Sequence, residues 1–223
     1  MWANFPIFGT GNFTFMENRR ETCSQDTKAG MTEQHPLEPF LPDRARILML
    51  GSFPPKKERW SLDFFYPNFN NDMWRIIGLI FFGDKSHFEM SARTAAKRFD
   101  REKIAGFCAE KGIALYDTAE QVRRLKDNAS DKFLEIVTPT DLSALLEKIP
   151  ECTAIVATGE KAAEAAAAFF GCKAPATGKC IEIITRHLMF WRMPSSSRAY
   201  PLSLEKKAEA YRNMFISAGL LQS

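Results

Sequence analysis

The chain is poor in the residues that most often mark a site by themselves. It has three histidines and five cysteines in 223 residues. The cysteines stand at 23, 108, 152, 172 and 180, an odd number with no C-x-x-C pair. That spacing argues against a secreted disulfide framework, a zinc ribbon and an iron–sulfur cluster, which needs four thiolates with close local pairs. It fits reduced, buried cysteines in a cytoplasmic protein. Long apolar runs are missing too. The longest, Ile76 to Phe82, contains Gly78 and falls far short of the ~20 residues of a membrane span. No basic start leads into an apolar stretch, as a secretory signal requires. Charge of one sign is also scarce: 30 Lys+Arg against 27 Asp+Glu leave +3, a balance that identifies no polyanionic partner by itself.

What the chain does have is aromatic residues, with 19 Phe and 4 Trp, and 45% hydrophobic residues overall. These exclude general disorder and are enough for one large core. Residues 1–30 mix aromatics with Gly, Thr, Asn and Ser and hold no period. They are expected to form a peripheral leader or tail, with a single working domain over 31–223 that begins near Met31. The alternative is that the leader packs its Phe side chains on that domain.

From Met31 onward strands and helices alternate. Arg46 to Gly51, Ile113 to Asp117 and Ala154 to Thr158 are short apolar runs that suit buried parallel strands, with further strands over Ile181–Ile184 and His187–Met193. Helices are expected over Asp72–Gly83, Arg101–Lys111, Asp141–Lys148, Gly159–Phe170 and Leu204–Ala218, the last capped by Ser203. The pattern predicts an α/β fold: a three-layer α/β/α sandwich around a central, mainly parallel sheet of four to five strands. In such sheets ligands bind beyond the carboxyl ends of the strands. Three segments should therefore converge: 51–71, the loop after Asp117, and 194–202. None carries a dinucleotide fingerprint or a phosphate-binding P-loop.

Three motifs in order narrow the reading. Gly51-Ser52-Phe53-Pro54 follows a strand. Phe65-Tyr66-Pro67-Asn68-Phe69-Asn70-Asn71-Asp72-Met73-Trp74 opens a helix. Met193-Pro194-Ser195-Ser196-Ser197-Arg198-Ala199 lies near the end. Together they resemble the uracil-DNA glycosylase superfamily, nearest its hypoxanthine-DNA and mismatch-specific branches. The likeness runs from about Ile47 to Phe215. It departs from the family where Asn68-Phe69 replaces His-Pro, Met73 replaces the Phe before Trp74, and Pro55 replaces the second Gly of the first motif.

The resemblance implies a DNA-repair enzyme that flips a deaminated nucleotide (uracil, hypoxanthine or xanthine) out of the stack and hydrolyses its base–deoxyribose bond without metal or cofactor. It marks Asn71 as the residue that orients the attacking water, with Asn70 and Asn68 as rivals, Asn70 if the register shifts by one, and Asp63 as the second choice. It places Tyr66, or Phe65 in its stead, against the extruded base, and Gly51, Ser52 and Phe53 at the turn that approaches the base. Ser195, Ser196, Ser197 and Arg198 then form the loop that presses on DNA. The bare sequence offers plainer alternatives: Asn71 as a helix cap, Tyr66 as core, the serines as an ordinary polar loop. Asp117, at a strand end, reads first as a pairing or capping carboxylate. Arg186, His187, Arg192, Lys206, Lys207 and Arg212 add a modest basic stretch near the C-terminus. Arg123, Arg124, Ser130 and Asp131 are similar to a polar stretch of the hypoxanthine-type branch. DNA is the expected partner and a monomer the expected state. The competing class is a nucleic-acid-binding protein that keeps the fold without the activity.

Overall fold

The structure, a computed structural model, describes residues 31–90, 97–125 and 133–222. The leader 1–30, with Cys23, and the pair Ser130 and Asp131 lie outside the described residues. A five-stranded sheet runs through the centre in the order β3-β2-β6-β8-β7. Its strands are β2 (Ile47–Gly51), β3 (Ile113–Asp117), β6 (Ala154–Thr158), β7 (Lys179–Ile183) and β8 (Leu188–Met193). β2 pairs in parallel with both β3 and β6, and β6 with β8; only β7 turns back antiparallel on β8.

Every residue of β2, β3 and β6 is buried. Successive strand side chains point to opposite faces, so complete burial means that both faces are covered. Among the described residues, five α-helices flank the sheet: α1 (Met73–Phe82), α2 (Arg101–Lys111), α3 (Leu142–Lys148), α4 (Glu160–Phe170) and α5 (Leu204–Ser217). This is the α/β sandwich that the alternating pattern predicts. The cap expected at Ser203 is present, and two more appear at residues not read as caps. Asp100, Asp141 and Ser203 accept N–H bonds at the starts of α2, α3 and α5. Among the described residues no helix is long and apolar enough to cross a membrane.

One feature is absent from the sequence reading. A second, antiparallel sheet is formed by β1 (Thr32–Gln34), β4 (Ala119–Arg124) and β5 (Leu134–Pro139) in the order β1-β4-β5. Its strands are short and charged, and their one apolar face covers only a small cluster of Phe53, Ala119, Val122 and Leu134. A three-residue strand leaves no period to read, and β4 and β5 expose most of their positions at least partly.

Candidate functional site

The carboxyl ends of β2, β3, β6 and β8 open into a cleft of about 750 Å³. Two of the three segments expected to converge wall it, residues 51–55 and 65–68 with Asn70 and Asn71, and residues 195–201 after β8. Of the third, only Asp117, the last residue of β3, and Arg124 reach it, because the chain beyond Asp117 runs on as strand β4 instead of a loop. Thr158, at the end of β6, joins them. A volume of this order is that of a pocket for a small molecule or for one extruded group. Arg59, Arg124 and Arg198 line the cleft against Asp117, so its charged lining is predominantly cationic.

Tyr66 stands in the wall with a left-handed backbone, φ 51°. Such a conformation costs a β-carbon residue about 1–3 kcal/mol and persists only where surroundings enforce it. Here the phenol bonds Thr158 Oγ1 at 3.0 Å, the ring packs edge-on against Trp74, and Trp74 Nε1 donates to the Phe65 carbonyl at 3.1 Å. Burial holds the Tyr66 hydroxyl above its ordinary pKa. Phe65 is turned inward and is 4% exposed, packed against Phe64 and Tyr116, so it touches the cleft mainly as support.

Gly51 is glycine for a steric reason. A Cβ at this position would overlap the Asp117 carboxylate, which lies directly against it. Phe53 packs edge-on against His35 at 5.2 Å, and the Arg124 guanidinium lies 5.7 Å from its ring centroid. Arg124 itself is tied to Glu33 at 2.9 Å and to the Pro54 carbonyl at 2.8 Å, which anchors the 51–55 turn to the small sheet.

Asn71 lines the cleft at the start of α1. Its Oδ1 accepts from Met73 N–H at 2.9 Å, a capping bond. A carbonyl oxygen has two acceptor directions, so one remains after the cap is made. The backbone around it is pinned from several sides. Asn71 N–H donates to Asn68 O at 2.8 Å, Asn71 makes an antiparallel bridge with Ser197, and Asp72 N–H donates to Ser196 O at 2.9 Å. From beneath, Arg75 donates to the carbonyls of Phe69 (2.7 Å) and Asn71 (3.2 Å) and pairs with Glu89 at 2.8 Å. Asn70 is exposed at the rim, with Oδ1 3.5 Å from Arg198 Nη1.

The serines spend part of their hydrogen bonding on their own loop. Ser195 Oγ accepts from Ser197 N–H and Ser197 Oγ from Ala199 N–H, each at 3.2 Å. Ser196 is 3% exposed. Tyr211 O–H fixes the Pro194 carbonyl at 3.0 Å. The loop is thus a preformed rim.

Asp63 is not brought to the cleft. Its carboxylate is solvent-exposed and pairs with Lys57 at 2.7 Å, on the outer side of the long loop. The basic stretch near the C-terminus does not assemble either. Arg186 bonds Ser143 Oγ, Arg192 pairs with Glu160, Arg212 bonds the Ile80 carbonyl, and Lys207 is buried. Two residues that the sequence reading passed over do matter. His35, buried next to the cleft, bonds Asp117, and Asp72 carries two cations. Neither leaves a local signal, because their partners are 82, 126 and 135 residues away.

Fold and cleft together define an α/β protein with a preformed, cationic, aromatic-walled site at the carboxyl ends of a parallel sheet. No protein-family model and no curated protein matches the chain. Among solved structures it is similar to the solution NMR structure of a "putative Uracil DNA glycosylase" from Methanosarcina acetivorans. The TM-score is 0.56 at 22% sequence identity, over 85% of this chain and 99% of that one. The two chains share the fold.

Proposed function

We propose that the protein is a monofunctional DNA N-glycosylase of the uracil-DNA glycosylase type. It hydrolyses the base–deoxyribose bond of a deaminated base (uracil, hypoxanthine or xanthine) as a monomer in the cytoplasm. The observation that carries this reading is the bridge between Asn71 and Ser197. It joins the residue suited to orient water and the loop suited to hold DNA in one rigid rim over the cleft. The shared fold with the archaeal structure supports the same reading.

The chemistry follows from what the bond needs. Its transition state resembles an oxocarbenium ion with an anionic leaving base. Asn71 Oδ1 accepts a hydrogen bond from water and so aims a lone pair of the water oxygen at C1′; the C1′–N bond breaks, the C1′–O bond forms, and the proton that water loses ends on the departing anionic base. An amide is a poor base, so positioning and electrostatics supply the rate. Tyr66 gives the extruded base a face, worth roughly 1–3 kcal/mol and tolerant of base identity. Gly51 lets the main chain come close to the base. Ser195–Ser197 and Arg198 meet the sugar–phosphate backbone.

Duplex and single-stranded oligonucleotides bearing each deaminated base, incubated with the protein and then treated with alkali, test this directly. Strand scission at the modified base is expected. Intact strands for every lesion at high protein excess would reject the glycosylase reading, and retained DNA binding would then favour a silent binding protein.

A further inference from the structure

The Asp72 carboxylate holds two cations of unlike character. Arg198 Nε donates to Oδ1 at 2.9 Å, and Lys207 Nζ donates to Oδ2 at 3.1 Å. Asp72 exposes 10% of its side chain and Lys207 1%, but Arg198 exposes 49% and lines the cleft. Lys207 Nζ also donates to the Ser197 carbonyl at 2.8 Å. Lys207 stands in the first turn of α5, where the helix dipole disfavours a cation. Its burial there is therefore compensated by the Asp72 pair rather than by the helix.

One negative charge with two positive partners leaves one positive charge in excess. A buried carboxylate stripped of its only partner is strongly destabilising. With Lys207 fixed in place, Asp72 keeps a partner when Arg198 leaves. The excess charge resides on the half-exposed guanidinium, which lines the cleft.

We propose that Lys207 is a positioning residue. It ties Asp72 to the Ser197 carbonyl, fixing the spacing between the Asn71 segment and the serine loop, and it permits Arg198 to exchange Asp72 for a phosphate oxygen of bound nucleic acid. The inference rests on the nucleic-acid part of the proposed function and is independent of base excision.

The test measures binding of an undamaged duplex oligonucleotide as a function of salt concentration, so no chemistry at a base is involved. Each phosphate neutralised contributes about 0.9 to the slope of log affinity against log salt. In Lys207→Met, Arg198 becomes the only partner of a buried carboxylate and stays on it. The slope should fall by about 0.9, although residue 207 is itself too buried to touch DNA. Adding Asp72→Asn removes the charge that holds Arg198, and the double variant should regain the wild-type slope and bind several-fold more tightly than Lys207→Met. A merely structural lysine predicts lower stability with an unchanged slope. That result, a double variant that keeps the lowered slope, or no binding of duplex by the wild type would each overturn the proposal. If Lys207→Met alone does not fold, the double variant is compared with wild type. An equal slope with tighter binding supports the exchange. A slope raised by about 0.9 overturns it, because Arg198 would then never have left Asp72. Binding that behaves as expected, with no scission at any deaminated base, would sustain this inference and reject the glycosylase activity.

Discussion

His35 Nε2 donates to Asp117 Oδ2 at 2.9 Å, linking the end of β1 to the end of β3 beside the cleft. The imidazole is itself boxed in by Phe53, Phe65 and Tyr116, and its Nδ1 faces the main chain of Leu37. The carboxylate is thereby fixed, and its other oxygen rests against Gly51.

A side chain at residue 51 therefore meets a group that cannot step aside. Gly51→Ala should cost about 1–3 kcal/mol, the usual range for overpacking a filled site. Urea unfolding of the wild type, Gly51→Ala, Asp117→Ala and the double variant checks this. In the Asp117→Ala background the alanine at 51 should cost little, because the obstructing oxygen is gone. Equal costs in both backgrounds would show that the carboxylate is not what excludes a side chain.

Asn71 carries two roles that separate experimentally. Replacing it with alanine removes both the capping acceptor and the water-orienting oxygen. Stability should fall by about 1 kcal/mol, and base release should fall by about 10²-fold or more, as when a well-placed hydrogen-bonding group is lost from a transition state. Asn71→Ser keeps a capping acceptor but one too short to reach the same point in the cleft. It should recover most of the stability and little of the activity in single-turnover assays. Asp63→Ala, by contrast, removes an exposed pair with Lys57 outside the cleft and should leave both within error. Loss of activity in Asp63→Ala with activity kept in Asn71→Ala would transfer the water-orienting role to Asp63.

The uneven legibility of this fold has a physical origin. β2, β3 and β6 announce themselves because burial on both faces demands unbroken apolar runs, and Ser203 announces a helix because four orphan N–H groups need an acceptor. The segments that build the cleft are legible for the same reason, since strand ends fix where their loops must go. What could not be read is what depends on distance in space. Lys207 looks like one more solvated cation on an amphipathic helix until Asp72 is placed against it. His35 sits in a polar, proline-flanked stretch and acquires its partner only when β1 pairs with β4. Asp63 misleads in the opposite way: it lies between motif residues in sequence, but the loop turns its side chain outward.

Alkaline pH should weaken the fold, because buried thiols and phenols, among them Cys108, Cys152, Tyr66 and Tyr211, hold their protons to higher pH than the unfolded chain does. Burial raises the Cys152 thiol from about 9 to about 11, with smaller opposing effects from backbone hydrogen bonds to Ala154 and Leu48. The unfolded chain thus releases this proton first. The stabilisation tied to Cys152 is complete below pH 9 and is lost as the pH climbs from 9 to 11. Tyr66 adds to the loss above pH 10, since burial holds its folded-state pKa higher than that of the unfolded chain. Cys152→Ala should be less stable than wild type at neutral pH, and the gap should narrow between pH 9 and 11 in denaturant titrations. A gap that stays constant or widens over that interval would mean that the thiol is not protected by burial.

Tyr66 offers the sharpest division between a wall and a support. Its ring lines the cleft, while its hydroxyl is spent on Thr158, which in turn donates to the Leu50 carbonyl at 3.1 Å. Tyr66→Phe keeps the ring and loses one buried hydrogen bond, with Thr158 retaining Leu50 as a partner, so stability should drop by about 0.5–1.5 kcal/mol. Excision of an extruded base should stay close to wild type, because the stacking face is intact. Tyr66→Ala removes the face and should weaken the productive complex by roughly 1–3 kcal/mol, read as a lower kcat/KM on single-stranded substrate. That loss should be of similar size for uracil and hypoxanthine, since stacking tolerates base identity. If Tyr66→Phe were as inactive as Tyr66→Ala while remaining folded, the hydroxyl rather than the ring would be the part that the reaction uses, and Thr158 would then belong to the site as its second member.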